Sequence, residues 1–329
     1  MNRVISMMAD NSLSLLLTGL LSLSLALSAR ANPEEPPVSG QLETLHVQGN
    51  VWMIAGAGGN IAVQVGEQGI MLVDTGSLEP AEAVIAAIAK ISDRPIRYII
   101  NTSTADQHVG GNTLIAALPG GSTRGAERGA RISVIAQENV LFQMSVALTE
   151  DGEQRYPQSS WPTEGYFEAS RGQTFNGEAI DIIHMPNAYS DGDTVVYFRG
   201  SNVLVSGDIY TTTNLPLIDP DKGGSLAGSI AALDRMLEIT ISGDLAEGGT
   251  YIIPGHGYIS DEAELVEFRD MTYIIRDRLQ RLVSEEGASL DAVKAARPVL
   301  GWESRYSQPG WTVDMFLETV YPEFTGQND

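Results

Sequence analysis

Short runs of alternating apolar and polar residues, separated by glycine turns, follow residue 42. The runs are His46–Met53, Asn60–Val65 and Ile70–Val73. Alternating runs of this length between turn residues predict antiparallel strands. The last run is apolar at every position, so we expect a buried central strand that ends at Asp74.

The apolar spacing then becomes helical. Pro80 and the Ala/Ile spacing over Glu79–Ile91 predict an amphipathic helix, and Ile96–Ile100 predicts the next strand. A strand, a helix and a strand in this order are typical of a crossover unit. Such a unit places Asp74 and Asn101 at neighbouring strand ends.

Each half of the chain begins with predicted strands and ends with predicted helices. The predicted strands of the second half are Ala179–His184, Thr194–Phe198, Asn202–Ser206 and Thr250–Ile253. Predicted helices follow at Ser225–Ile239 and after Asp261, which is a predicted helix cap. Two such halves predict two β-sheets packed face to face with helices outside, an α/β (α+β) fold in four layers, αββα. Polar residues at the strand ends would then gather along one edge.

The N-terminus has the pattern of an export signal. Arg3 is followed by the apolar run Leu13–Leu27 and by Ala29-Arg30-Ala31, which predicts a signal peptide over residues 1–31 and a periplasmic or secreted protein. An uncleaved anchor is the alternative, although the run is short of the roughly twenty residues of a membrane span. A polar, Pro-rich leader (32–42) and one domain (43–329) follow, with a helical C-terminal segment (260–329) packed on that domain.

Composition narrows the classes of function. The chain carries 20 Lys and Arg against 42 Asp and Glu, a net charge of −22, so nucleic acid is not an expected partner. There is no cysteine, which excludes thiolate ligands, thiolate nucleophiles and disulfides. We expect a small-molecule substrate.

Three polar residues in glycine-flanked turns are candidates for chemistry. His108, Asp208 and His256 each follow an apolar strand, so we expect them to share one site. The other two histidines, His46 and His184, are predicted to be structural. The polar and aromatic stretch Glu150–Arg171 predicts a long loop over the site, with Trp161 and Tyr166 lining a substrate cleft.

A resemblance to a known family covers essentially all of the predicted mature chain. It is carried by Leu72–Gly76, Asn101–Asn112, Asp191–Phe198, Ser206–Asp208 and Ile253–Gly257. In these segments the sequence resembles the metallo-β-lactamase superfamily of metallohydrolases. The resemblance implies an αββα sandwich with two metal ions, usually zinc, at the edge of the sheets. It also implies a signature loop His-x-His-x-Asp-His that ends near Gly-Gly-Asn.

The signature loop is degenerate in this chain. Aligned on Gly110-Gly111-Asn112, the two leading histidines of the family fall on Ser103 and Ala105, the aspartate falls on Gln107, and only His108 matches. A later family histidine falls on Tyr189. The resemblance therefore implies that one metal pocket has lost all three of its histidines.

The second metal pocket keeps His108, Asp208 and His256. Gln107 offers a weak neutral oxygen, and Asp106 offers a carboxylate if the loop has shifted by one residue. Two histidines and a carboxylate form a workable site for one zinc ion or another divalent metal, and an unloaded site is the alternative. A bound ion would lower the pKa of its water to about 7.

These residues support more than one function. The first hypothesis is an exported hydrolase that cleaves an ester, lactone or amide by metal-activated water, with Asp208 as ligand or base and Asp106 or Asp191 in the other role. Tyr189 either donates to a developing oxyanion or fills the vacated space. The alternative is a metal-free binding protein or pseudoenzyme that uses the same cleft. A third hypothesis is metal-independent catalysis by Asp106 with Tyr189.

Overall fold

The computed structural model describes residues 41–120, 131–246 and 248–326. All of these residues belong to one compact unit, Pro37–Asp329. The predicted signal peptide and nearly all of the predicted leader lie outside the described residues. Within the described residues, none of the helices has the length and apolar character needed to cross a membrane.

The first sheet contains seven of the described strands, ordered in space as they are in the chain. They are β1 (Glu43–Gln48), β2 (Val51–Ala57), β3 (Gly59–Gly66), β4 (Gly69–Val73), β5 (Ile96–Ile100), β6 (Ser133–Gln137) and β7 (Glu164–Tyr166). The pairs from β1 to β4 are antiparallel, and those from β4 to β7 are parallel. The sheet is therefore mixed.

The second sheet contains five strands in the order β12-β11-β10-β9-β8. They are β8 (Ser170–Phe175), β9 (Glu178–His184), β10 (Thr194–Phe198), β11 (Val203–Val205) and β12 (Tyr251–Ile253). Only the β11–β12 pair is parallel among these neighbours. This sheet is also mixed.

Strand β4 shows why the sheets pack as they do. Met71 and Val73 join the core that contains Val196 and Phe198 of the second sheet. Their neighbours Ile70 and Leu72 join a separate core on the opposite face. Because successive side chains of a strand point to opposite faces, an entirely apolar strand must be covered on both. The prediction of a buried central strand is confirmed.

Helices cover the outer faces of both sheets. They are α1 (Ala81–Ile91), α2 (Asp106–Val109), α3 (Asn112–Ile115), α4 (Glu138–Val146), α5 (Leu226–Ile239), α6 (Glu262–Leu279), α7 (Leu290–Ala296), α8 (Glu303–Tyr306) and α9 (Val313–Thr325). Helix α1 packs on the first sheet through Val84 and Ile88, whereas α5 and α6 pack with the second sheet through Leu233 and Phe268. The predicted four-layer α/β architecture is confirmed. Asp261 caps α6, as predicted, by accepting a hydrogen bond from Glu264 N.

The predicted long loop over the site is wrong in part. Residues Glu164–Tyr166 form β7, which pairs in parallel with β6, and Ser170–Phe175 form β8. A strand of three residues is too short to show a period in the sequence, and its pairing with β6 is a tertiary contact.

A parallel strand pair in each sheet brings polar segments together at the point where the strands end. Asp74 N donates to Ile100 O at 2.8 Å, where β4 and β5 end side by side. In the second sheet Gly255 N donates to Gly207 O at 2.9 Å, beyond the ends of β12 and β11. The carboxyl ends of parallel strands meet at one sheet edge, and the candidate site lies there.

Candidate metal centre

The three residues predicted to share a site meet at the edge of the sheets. One potential ligand atom from each of His108, Asp208 and His256 lies within 4.8 Å of the other two. Asp208 Oδ1 lies 2.9 Å from His108 Nε2 and 3.1 Å from His256 Nε2. The two imidazole rings stand edge to face with their centroids 5.8 Å apart. Two nitrogens and one carboxylate oxygen therefore converge on one point.

His108 is fully buried between two carboxylates. Its Nδ1 lies 2.7 Å from Asp74 Oδ2, and its Nε2 faces Asp208. Burial alone would lower the pKa of His108, but the charges of Asp208 and Asp74 and the hydrogen bonds to both raise it well above its ordinary value. Each ring nitrogen of His108 therefore faces one carboxylate oxygen at hydrogen-bonding distance.

Asp74 orients His108 and is itself fixed in place. Its backbone has φ of 65°, a left-handed conformation that aspartate tolerates better than most residues. Its Oδ1 accepts from Thr102 N at 2.8 Å, and its Oδ2 accepts from Thr102 Oγ1 at 2.7 Å. A carboxylate on one ring nitrogen of a histidine selects the tautomer that leaves the other nitrogen to face a metal.

The turn after β11 delivers Asp208 through a glycine. Gly207 has φ of 53°, and a Cβ at this position would lie 2.5 Å from Thr102 Oγ1. Burial would raise the pKa of Asp208, but the charge of His108 and hydrogen bonds from His108 and His256 hold it far below its ordinary value. Asp208 is therefore a carboxylate at neutral pH.

The donor set suits a single divalent ion. Zinc takes histidine nitrogen and carboxylate oxygen at about 2.0–2.2 Å, so two ligand atoms on one ion lie at most about 4.4 Å apart. The ligand atoms of the triad lie within 4.8 Å of one another, so they need to move closer by no more than a few tenths of an ångström, about 0.4 Å at most, to share one ion. His256 is 19% exposed, so the triad opens to solvent on its side. Among the described residues, no other group of three or more His, Cys, Asp or Glu side chains meets this spacing.

The degenerate positions offer no second set of donors. Ser103 is buried, and its Oγ accepts from Ala105 N at 3.2 Å. Ala105 has no donor atom, and Tyr189 contributes a neutral phenol at the wall of the cleft. Gln107 is an exposed residue at the rim of the same cleft.

Asp106 lies outside the triad and has its own partners. Its Oδ1 accepts from Tyr156 Oη at 2.7 Å, and its Oδ2 forms an ion pair with Arg155. Partial burial would raise the pKa of Asp106, but the hydrogen bonds from Arg155 and Tyr156 outweigh it and lower the pKa. A shifted loop that brings Asp106 to the metal position is not observed.

An open cleft of about 550 Å³ leads to Asp208 and His256. Tyr166 does not line it, because its side chain is only 2% exposed and its hydroxyl bonds to Thr194 Oγ1 between the sheets. Trp161 is also absent from the lining, and its Nε1 donates to Tyr156 O at 2.9 Å. The prediction that Trp161 and Tyr166 line the cleft is therefore corrected.

The sequence reasoning missed several residues that do line the cleft. They are Arg155, Tyr156, Leu217, Ile218, Lys222 and Trp311. Trp311 comes from the segment before α9, far along the chain from the signature motifs, and no local pattern marks it. Tyr156 and Arg155 lie within the stretch Glu150–Arg171 that predicts a loop over the site, and this is the one signal that points to them.

The two histidines predicted to be structural, and the buried Asp193, have protein partners. His46 Nε2 lies 3.0 Å from Gly49 O, and His184 Nε2 lies 2.7 Å from Asp191 O. Asp193 accepts from both the backbone N and the Oγ of Ser190 at 2.7 Å, while burial raises the pKa of Asp193 to about 8. Asp193 therefore holds the turn between β9 and β10.

A family model described as the Metallo-beta-lactamase superfamily matches residues 47–242, which is more than half of the chain. This chain belongs to the metallo-β-lactamase superfamily. The family resemblance seen in the sequence is confirmed, and the relatives described below are hydrolases. The fold and the strand-end site therefore belong to a hydrolase superfamily.

Individual relatives are distant. The linear primary-alkylsulfatase of Pseudomonas sp. (strain ATCC 19151) is 22% identical over 301 residues, covering 79% of this chain and 54% of that protein. The inverting sec-alkylsulfatase Pisa1 from Pseudomonas sp. has a similar structure, with a TM-score of 0.65 at 16% identity, covering 88% of this chain and 51% of its own. This chain thus spans about half the length of both alkylsulfatases.

A shorter relative is matched over nearly its whole length. The metallo-beta-lactamase from Pontibacter korlensis has a TM-score of 0.54 at 16% identity, and the match covers 71% of this chain and 99% of that one. At this level of identity the structural likeness shows the fold alone.

Proposed function

We propose that this protein is a hydrolase that uses one divalent metal ion, held by His108, Asp208 and His256, to cleave an ester, lactone or amide. The observation that carries the proposal is the approach of these three donors to within 4.8 Å of one another at an open cleft. Zinc is the expected ion, because two histidines and a carboxylate with an open position are a known type of catalytic zinc site.

The residues around the proposed ion have different tasks. Asp74 fixes the ring of His108 so that Nε2 faces the ion, and Asp208, anionic at neutral pH, serves as a ligand rather than as the general base. When bound, the ion would supply Lewis acidity and lower the pKa of a water molecule. Asp106 is already neutralised by Arg155, so we assign it to holding the loop.

The cleft suits a small molecule with both polar and apolar parts. Leu217, Ile218 and Trp311 contribute apolar surface, whereas Arg155 and Lys222 contribute positive charge at the mouth. An apolar surface beside polar groups that can orient a ligand is typical of small-molecule sites. Since two relatives are alkylsulfatases, an alkyl sulfate belongs in the substrate panel beside carbonyl compounds.

Metal analysis tests the proposal directly. Protein purified without chelator and then incubated with zinc, manganese or iron should hold close to one ion per chain. His256→Ala should abolish that ion, while His46→Ala, which removes a histidine far from the triad, should keep it. A 4-nitrophenyl ester, a lactone, an anilide and an alkyl sulfate should then be assayed before and after chelation. Absence of a bound ion after all three incubations would sink the proposal.

The alternative of a metal-free binding protein rests on the degenerate positions. Ser103, Ala105, Gln107 and Tyr189 stand where the superfamily has metal ligands, and none of them carries an imidazole or a carboxylate. The open cleft beside them would then hold a ligand without a metal ion. A protein that binds a member of the panel equally well before and after chelation, and never turns it over, would favour this alternative.

A further inference from the structure

Tyr189 is a rigidly placed aromatic residue beside the triad. Its carbonyl oxygen accepts from Asp219 N at 2.8 Å, and a Cβ on Gly224 would lie 2.0 Å from that same oxygen. The flanking residues Ala188 and Ser190 are fully buried. The ring therefore projects from a fixed backbone into the cleft that also contains Asp208 and His256.

The hydroxyl of Tyr189 has no hydrogen-bond partner among the described residues. The buried tyrosines have one: Tyr156 donates to Thr104 O, Tyr166 bonds to Thr194 Oγ1, and Tyr210 bonds to Ser260 Oγ. A tyrosine hydroxyl that is buried usually finds such a partner. Tyr189 is only partly buried and lines the cleft, where a ligand would supply an acceptor for its hydroxyl.

Charges around the ring keep the phenol protonated. Burial and the carboxylates of Asp208, Asp219 and Asp193 all raise the pKa of Tyr189. Lys222 Nζ lies 6.0 Å from the ring centroid and donates to Asp219 Oδ2 at 2.7 Å. At neutral pH the position therefore offers an O–H donor to an acceptor oxygen, and Lys222, itself paired with Asp219, is the nearby positive charge.

We propose that the Tyr189 hydroxyl binds the acceptor oxygen of the substrate, in the space where the superfamily places its other metal ion, with Lys222 as the supporting charge. This inference rests on the proposed hydrolase function. For an ester, the water oxygen forms a bond to the carbonyl carbon, the bond to the leaving oxygen breaks, and the protons of water pass to the products. Tyr189 keeps its own proton and donates only a hydrogen bond to the carbonyl oxygen as charge develops there.

Replacing Tyr189 by phenylalanine distinguishes two roles, because it removes the hydroxyl donor and keeps the ring that fills the space. Tyr189→Phe should lower kcat by on the order of 100-fold, the loss seen when one oxyanion donor is removed, with little change in KM or metal content. Tyr273→Phe is the matched control, because the Tyr273 hydroxyl bonds to Asp234 on the α5–α6 side, away from the cleft. Equal kcat for Tyr189→Phe and the unmodified enzyme would overturn the inference.

A spectroscopic readout tests the same hydroxyl without turnover. In protein labelled with 3-fluorotyrosine, the ¹⁹F resonance missing from Tyr189→Phe identifies Tyr189. Titration with acetate, used as the probe for a carboxyl oxygen, should shift that resonance and leave that of Tyr273 in place. The shift should be smaller in Lys222→Met. A Tyr189 resonance that ignores acetate would overturn the inference.

The two experiments distinguish this inference from the proposed function. Metal bound with turnover, but with no effect of Tyr189→Phe, removes the role of Tyr189 and leaves the hydrolase intact. A protein that never binds metal, yet shows the acetate shift, removes the hydrolase and leaves Tyr189 as a binding residue of a metal-free cleft.

Discussion

The site has two halves that share one edge of the fold but differ in what holds them. In the retained half, His108, Asp208 and His256 are joined to each other and to Asp74 by charged contacts of 2.7–3.1 Å. In the vacated half, the positions of Ser103, Ala105 and Tyr189 carry no charge. Hydrogen bonds through an uncharged side chain, Gln143, connect the surrounding loops there instead, and Thr104 Oγ1 donates to Gln143 Oε1 at 2.9 Å.

This difference indicates that the vacated half keeps its frame without histidine ligands. Gln143 Nε2 also donates to Asp191 Oδ1, so one side chain ties the signature loop to the turn before β10. An ion shared by the leading histidines and a histidine at position 189 would make a similar connection. Hydrogen bonds through Gln143 now make it, while Gly207 and Thr102 hold the retained half in place.

The largest effect is expected when the lost histidines are returned to the vacated half. The triple variant S103H/A105H/Y189H offers three imidazoles where the superfamily has them, so the stoichiometry should rise from one ion per chain to two. Three nitrogen donors are enough for a zinc site that keeps one open position. Metal analysis and the visible spectrum after cobalt substitution would both report the second ion.

The double variant A105H/Y189H is the control for this experiment. It offers only two imidazoles and should hold the second ion much more weakly than the triple variant does. If a correctly folded triple variant still bound a single ion, the alignment of Ser103, Ala105 and Tyr189 with the family's ligands would be wrong.

A smaller effect is expected from changing the residue that orients His108. In Asp74→Asn the amide can still serve Thr102 N, and asparagine tolerates the left-handed backbone at this position. The amide nitrogen, however, cannot accept the proton on His108 Nδ1. Loss of such a supporting carboxylate costs about 10–100-fold in metal affinity. Competition with a coloured chelator would measure the change.

Asp181→Asn on β9 controls for the loss of one negative charge, because Asp181 lies outside the cleft lining and is partly exposed. It should leave metal affinity unchanged. Equal affinities for Asp74→Asn and the unmodified protein would mean that the retained half does not need Asp74 for orientation.

The sequence predicted the fold because its signals were local and repeated. The fully apolar run Ile70–Val73 required cover on two faces, and three glycine-flanked turns after apolar strands placed His108, Asp208 and His256 at one edge. The prediction of which aromatic residues line the cleft was wrong because it depends on long-range contacts. Tyr166 belongs to a three-residue strand and Trp311 lies near the C-terminus, so only long-range pairing decides which of them reaches the cleft.

The smallest effect is expected from a substitution of Asp106, which lies between the two halves. Asp106 and Arg155 are 53% and 50% exposed, so their ion pair should contribute no more than about 1 kcal/mol to the free energy of unfolding. Asp106→Asn should cost less than this and leave metal content unchanged, since Tyr156 Oη keeps Thr104 O as an acceptor. Urea unfolding and metal analysis would measure both quantities.

The pH dependence of that small loss has a definite sign. The pKa of Asp106 is lowered in the folded protein, so its contribution is complete above the ordinary aspartate value of about 3.9 and disappears as pH falls through the folded value. The stability difference between Asp106→Asn and the unmodified protein should therefore vanish in acid, and Arg155→Met should show the same trend. If Asp106→Asn instead lost metal at neutral pH, Asp106 would be a ligand. The retained half would then include Asp106 as well as His108.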